Sequence, residues 1–273
     1  MNFLFWNIHK KNSFFNTIAD IVREEDIDVM AFAEFPVGDE LAFEALLKGH
    51  DTSFAYLAPN RKGKIELYYK DGRVNLDNAY DGARVSAKTI KSEVNGLTYQ
   101  LVFCHIWDRW NMPENQQNYL VPDVVDEIKD FEKNSQNTLT LVCGDFNMDA
   151  YSEGMLLHNG FNAMMTSNIA KEKTRRVNKK DYDMFYNPMW GLYGDVHGHD
   201  AAGTYYIRDY KPVHQYWHIV DQVIMRPDVI DVFEKDSLKI VAKGHTYNLL
   251  NSKGTINNID YSDHLPIKFK LNI

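Results

Sequence analysis

Gly144-Asp145-Phe146-Asn147 and, near the chain end, Ser262-Asp263-His264 place two Asp, an Asn and a His beside apolar runs. Metal-assisted hydrolysis of a phosphate ester needs this set. Carboxylates hold a hard divalent cation. An Asn orients an oxygen or a water. A His–Asp pair supplies a polar, protonatable group beside phosphorus. The first motif follows Leu139-Thr140-Leu141-Val142-Cys143; the second follows, less clearly, the stretch from Thr255 to Tyr261. A strand running into a polar turn delivers such side chains to one rim of a sheet. Asp145 and Asn147 are two apart, so both leave a straight strand on one face. The bland alternative is an Asp-Asn turn signal; the flanking Gly144 and the intervening Phe146 argue against it.

Other apolar runs end in comparable residues. Phe3-Leu4-Phe5-Trp6 leads into Asn7, Val29-Met30-Ala31-Phe32-Ala33 into Glu34, and Leu101-Val102-Phe103-Cys104 into His105. Asp221 lies inside the run 218–224. This ordered set, from Asn7 to His264, resembles the endonuclease/exonuclease/phosphatase superfamily. Its members include deoxyribonuclease I, exonuclease III-type abasic-site endonucleases, inositol polyphosphate 5-phosphatases and neutral sphingomyelinases.

The resemblance implies an α/β fold, a four-layer α/β/β/α sandwich of two packed mixed sheets flanked by helices. It also implies roles. Glu34 would be the principal ligand of a catalytic Mg²⁺ or Mn²⁺, with Asn7 in support and Asp263 as a metal-side carboxylate. Asp145 would activate or position the attacking water, and Asn147 would hold a phosphate oxygen or a metal water. His264, oriented by Asp221, would contact the scissile phosphate, and His105 would stabilise or protonate the phosphate or leaving group. Where some relatives carry Asp and others Gln two residues after the Asn, this chain has His9. That departure puts a second carboxylate ligand at the first strand in doubt.

The site residues span nearly all 273 residues, so one domain, 1–273, is the simpler reading; two domains would split the site. No Pro-rich or Ser/Gly-rich linker and no repeat interrupts the chain. Cys104 and Cys143, the two cysteines, read as buried free thiols. A cleaved secretory leader of 15–30 residues would remove Asn7, and no apolar run reaches membrane-span length. A cytoplasmic, intracellular protein is the expectation.

Periodicity gives alternating elements. Strands are expected at 2–8, 28–34, 53–57, 65–69, 83–90, 98–105, 138–143, 203–207, 216–225, 237–243 and 264–271. Helices are expected at 13–25, capped by Asn12 or Ser13, at 39–48 and at 114–133, with a short one between Ser152 and Gly160. Such a mixture fits two sheets packed face to face with helices outside.

Substrate is less legible. Net charge is −8, so the chain is no basic nucleic-acid coat. Local cationic patches occur at Arg61-Lys62-Gly63-Lys64 and at 171–180, where Arg175 and Arg176 are candidate phosphate contacts. Trp107 and Arg109, beside Trp110, form a second candidate substrate cluster after His105. The histidines 197, 199, 214 and 218 do not match a common zinc spacing. The aromatic-rich stretch 182–217 can stack on bases or pack a core. The leading expectation is a Mg²⁺- or Mn²⁺-dependent nuclease acting on DNA by in-line attack of water. Alternatives are a phosphatase on a phosphoinositide or other small phosphorylated substrate, and a non-catalytic nucleic-acid-binding protein. Oligomeric state is not legible.

Overall fold

The computed structural model describes residues 1–273 except 62, 109–111, 196, 197, 199 and 209–213, and except the side chain of 114. In chain order, β1 (Asn2–Asn7), α1 (Phe15–Glu24), β2 (Val29–Ala33), α2 (Glu40–His50), β3 (Phe54–Tyr56) and β4 (Ile65–Lys70) come first. There follow β5 (Leu76–Asp81), β6 (Val85–Lys91), β7 (Thr98–His105), α3 (Glu114–Ser135), β8 (Thr140–Asp145), α4 (Glu153–Leu156), β9 (Ala163–Met164) and α5 (Ser167–Ala170). The chain closes with β10 (Thr174–Val177), β11 (Lys180–Asp183), β12 (Phe185–Tyr186), β13 (Tyr205–Tyr206), β14 (Trp217–His218), β15 (Asp221–Met225), β16 (Phe233–Ile240) and β17 (Ile267–Leu271).

Two mixed sheets dominate, ordered β16-β17-β1-β2-β4-β3 and β5-β6-β7-β8-β15-β12-β9. They lie face to face, with β1 against β8 and β15. The alternation of strand side chains explains the layers. On β7, β8 and β15, Leu101, Phe103, Leu141, Cys143, Val223 and Met225 join the core shared with the first sheet. The intervening Val102, Cys104, Val142 and Ile224 form a second core with Val121, Val124, Val125 and Ile128 of α3. Strands buried on both faces read as continuous apolar runs. Across the first sheet, α1 buries Ile18, Ala19, Ile21 and Val22. Cys104 and Cys143 are buried free thiols, assigned to different cores, and burial pushes both up.

Several boundaries differ from the periodicity. The stretch 255–261 forms no strand, and Asp263-His264 precedes β17 instead of following a strand. β17 runs antiparallel to β1, so its entry lies at the rim where β1 exits. The run 216–225 splits into β14 and β15, and β5 was not expected. Neither Asn12 nor Ser13 caps α1. Its N-cap position is Phe14, without a side-chain cap bond, and the Asn12 amide donates to Asp39.

Candidate active site

Register brings the polar strand ends together. His105 on β7 pairs with Asp145 on β8, and Asp145 pairs with Asp221 on β15. Asn7 ends β1 on the facing sheet, next to Ala33 of β2, and Glu34 follows. β7 and β8 approach so closely at this end that a Cβ at Gly144 would collide with the Cys104 backbone. The glycine of the Gly144–Asn147 motif is therefore steric.

A buried polar chain crosses from one sheet to the other. The Asn7 amide donates to Asp145 Oδ2 (2.9 Å). His264 Nδ1 and Asp221 Oδ2 share a hydrogen bond of 2.8 Å. The Thr204 hydroxyl accepts the backbone N–H groups of Val220 and Asp221. Trp6 donates its indole N–H to the His264 carbonyl at 2.8 Å, and the Ser262 hydroxyl donates to the Asn7 carbonyl at 2.6 Å. The closing motif is thus tied to the end of β1. Trp6 is fully buried, so Trp6→Ala should cost about 3–5 kcal/mol and also loosen His264.

Burial opposes charge on both members of the His264–Asp221 pair. It pushes the Asp221 carboxyl up to about 6, against the attraction of His264. For His264, burial is outweighed by Asp221, Asp145 and Asp263, which raise the imidazole to about 10. His264 feels three carboxylates, while His264 is the cation acting on Asp221. The pair is therefore imidazolium and carboxylate at neutral pH. His105 goes the other way. Burial lowers it despite Asp145 and Glu34, with Arg84 and Lys64 contributing, so it is neutral. Its Nε2 lies 3.7 Å from Glu34 and 3.8 Å from Asp145.

The rim differs. His9, Lys10, Glu34 and Asn147 all have left-handed φ, between +49° and +56°. Such conformations cost a non-glycine residue about 1–2 kcal/mol and cluster at functional sites. The turns interlock, because the Lys10 N–H donates to the Glu34 carbonyl at 2.7 Å. Asn147 is not on a straight strand with Asp145. β8 stops at Asp145, whose Oδ1 accepts the Asn147 N–H at 2.9 Å, and the Asn147 amide donates to the Ile106 carbonyl. This is an Asx turn, which Asn tolerates.

Glu34 makes no side-chain hydrogen bond among the described residues. Its carboxylate, 25 % exposed, lies 3.7–4.0 Å from His105, His9 and Lys10. Asp263 is 27 % exposed, with Oδ1 at 3.3 Å from His9 Nδ1. Two accessible carboxylates offer the oxygen ligands that a hard divalent cation takes. Asp145, Asp221 and His264 also offer ligand atoms within 4.8 Å of one another. However, their hydrogen bonds hold them in the buried chain, whereas Glu34 and Asp263 face the entrance.

The structure does not bring Arg175 and Arg176 to this rim. They lie on the β10–β11 hairpin, beside the sheet edge that ends in β9. Lys171 and Lys173 pair with Asp231 and Asp228, which follow the end of β15 opposite Asp221. Arg175 donates to the Leu156 carbonyl, and Arg176 approaches Asp181 at 3.9 Å. Trp107 stands near the site under the Arg84 guanidinium, 4.8 Å from its ring centre. Arg109, Trp110, His197 and His199 lie outside the described residues. His214 and His218 face each other, and His218 is held by Asp149 at 2.7 Å. Sequence reasoning missed Thr204 and Arg84. Neither belongs to a motif, and only sheet pairing places them here.

Residues 4–264 match the model of the Endonuclease/Exonuclease/phosphatase family, and the chain belongs to that family. No curated protein matches it. Among solved structures it is similar to a mannosyl-6-phosphatase of Bacteroides thetaiotaomicron (14% identity, TM-score 0.59, all of both chains covered). It is similar to D. rerio TDP2 complexed with single-strand DNA product (13%, 0.57, 100% of this chain and 99% of that one). It is also similar to the endonuclease domain of TRAS1, a telomere-specific non-LTR retrotransposon (12%, 0.56, 100% and 98%). At these identities the likeness shows the fold. Family members are phosphoric ester hydrolases, generally dependent on a divalent metal. No helix among the described residues is long and apolar enough to cross a membrane.

Proposed function

We propose that the chain is a divalent-metal-dependent phosphodiesterase that hydrolyses DNA. The observation carrying this reading is the buried chain Asn7–Asp145 and Asp221–His264 set behind two accessible carboxylates, Glu34 and Asp263. Glu34 and Asp263 would hold Mg²⁺ or Mn²⁺. The cation supplies positive charge at the phosphoryl oxygens and the leaving oxygen. Asp145 accepts one hydrogen bond on each oxygen, from Asn7 and Asn147. A carboxylate has further acceptor capacity, so Asp145 can position the attacking water and take its proton. The water oxygen forms the new P–O bond as the ester P–O bond breaks opposite it. His264, held charged by Asp221, donates to a phosphoryl oxygen. Neutral His105 hydrogen-bonds the phosphate through its one ring N–H, and the leaving oxygen takes its proton from solvent. Lys64 and Arg84, whose charges help lower His105, would meet a neighbouring phosphate.

A second reading, hydrolysis of a small phosphorylated compound, is favoured by two observations. The cations at 171, 173 and 176 face acidic partners, with 171 and 173 beyond the far end of β15. In addition, a cleft of about 320 Å³ beside Asp263, lined by Tyr205, Tyr206, Arg208 and Asn258, suits a compact polar group. The deciding assay offers plasmid, single-stranded DNA, RNA, and sugar and inositol phosphates, each with Mg²⁺, Mn²⁺ or EDTA. DNA cleavage that EDTA abolishes is expected. Phosphate release from a monoester without nucleic-acid cleavage would move the assignment to the second reading.

A further inference from the structure

A second aspartate and histidine are locked together beside the site. His218 Nδ1 and Asp149 Oδ2 share a hydrogen bond of 2.7 Å, and the His218 side chain is only 11% exposed. Sheet pairing puts this pair in line with Asp221 and His264. Tyr205 on β13 is the Cα partner of His218 on β14 and, through a single bridge on its other side, of His264. Paired residues point to the same face of a sheet. Their chain neighbours Tyr206 and Trp217 pack against the shared core, so Tyr205 and His218 point away from it. The Tyr205 ring lies against the His264 ring, with centres 4.9 Å apart. One row therefore runs from His264 through Tyr205 to His218. Its ends are two strand spacings apart, roughly 10 Å.

The second pair is more than a fastener. Asp149 Oδ1 already accepts the Ile219 N–H at 3.0 Å and the Tyr193 hydroxyl at 3.3 Å, which hold its turn in place. The imidazole adds a nitrogen, Nε2, that is open to solvent and has no hydrogen-bond partner among the described residues. With Nδ1–H given to the carboxylate, the tautomer is fixed, and Nε2 of the neutral ring is an acceptor. An acceptor in that place calls for a hydroxyl. We propose that His218 recognises a free sugar hydroxyl on the group esterified to the scissile phosphate. This rests on the phosphate-ester hydrolase reading above, with His264 at a phosphoryl oxygen. The sugar then lies across the Tyr205 ring, whose apolar body packs against it. A phosphate, a sugar and a hydrogen bond of about 3 Å at each end fill the span. An uninterrupted deoxyribose backbone carries no free hydroxyl. DNA offers one at a strand end, RNA along its length, and a small sugar phosphate on its ring. The site therefore favours attack at DNA ends over internal cleavage.

The test follows hydrolysis by wild type and His218→Asn of closed circular single-stranded DNA, linear DNA bearing or lacking its 3′ or 5′ terminal hydroxyl, RNA of the same sequence, and a sugar phosphate with and without a ring hydroxyl. The class that is cleaved identifies the source of the hydroxyl. Asn keeps an amide N–H where Nδ1 stands and removes Nε2, and thermal melts report the fold. Wild type should favour the hydroxyl-bearing substrate over its deoxy counterpart by at least about tenfold in kcat/KM, because a site built to bond a hydroxyl rejects the analogue lacking it. His218→Asn should erase that preference, slowing the hydroxyl-bearing substrate about tenfold and leaving the deoxy one within about twofold. Equal wild-type rates on both, or circular DNA cut as fast as linear, would overturn the role of His218 and leave the hydrolase reading standing. So would a preference that survives in a His218→Asn protein of normal melting. The wild-type comparison needs no variant, so it decides the matter even if His218→Asn melts early. A wild type that hydrolyses none of these with Mg²⁺ or Mn²⁺ would overturn the hydrolase reading itself.

Discussion

The buried chain from Asn7 to His264 and the rim formed by His9, Glu34 and Asp263 lie side by side but are built differently. In the chain, each polar side chain makes a hydrogen bond and is almost inaccessible, although Asp221 Oδ1 is left without a partner. At the rim, the Glu34 carboxylate lies beside Lys10, His9 and His105 and makes no side-chain hydrogen bond among the described residues, and the backbone is left-handed at His9, Lys10 and Glu34. The first arrangement fixes protonation state and orientation. The second leaves ligand capacity facing the entrance. On the proposed reading, acid–base and orienting work falls to the interior and cation binding to the edge.

The contrast breaks most visibly at Glu34. Glu34→Gln should remove divalent-ion binding and nearly all turnover while leaving the fold intact, as judged by calorimetry, activity and melting. Full activity of the wild type in EDTA would remove the rim from the mechanism. Inside, His264→Ala and Asp145→Asn should each lower turnover by roughly 10²–10⁴-fold, the range for positioned proton-transfer groups. Because Asp221 acts through His264, the double variant should lose much less than the product of the singles. Strict additivity in that cycle would break the pairing.

A pH series sharpens the same contrast. With the His264 folded value near 10, above the ordinary 6.5, the stability linked to its protonation is fully present below 6.5. That stability is lost as pH rises toward 10. Asp221, raised to about 6 from 3.8, also gives stability that falls with rising pH, between 3.8 and 6. Melting in EDTA between pH 6.5 and 10 should therefore decline more steeply in wild type than in His264→Gln. Parallel curves would contradict the charged imidazolium. The smallest effect is expected at the distal hairpin. Charge reversal at the exposed Arg176 should leave cleavage within about twofold and stability within about 0.5 kcal/mol, as for ordinary surface positions. Arg84→Ala should instead raise the Michaelis constant for DNA. A large polynucleotide-specific loss at Arg176 would return that hairpin to the substrate path.

The strand ends carrying Asn7, Glu34, His105 and Asp145 were legible because each is a local event, an apolar run stopping at a polar residue. Their order carried the resemblance to the family, and the resemblance implied the four-layer sandwich; periodicity alone gave only a mixture of strands and helices. Asp263-His264 was legible as a motif and, through the strand expected at 264–271, as the approach to one; the apolar stretch before it, 255–261, forms no strand because it has no pairing partner in either sheet. Six cations between 171 and 180 looked like a phosphate-binding stretch because charge is local. The acidic partners of Lys171 and Lys173, Asp231 and Asp228, lie 60 and 55 residues on and meet them only in the fold. Likewise, no spacing rule reveals Thr204 beneath Asp221, Arg84 over Trp107, or His9 between Glu34 and Asp263. By itself the sequence determined which residue types stand at the strand ends. Tertiary structure decided which face one another, how strongly they perturb each other's protons, and which charges are neutralised, because those effects depend on distance in space and on burial.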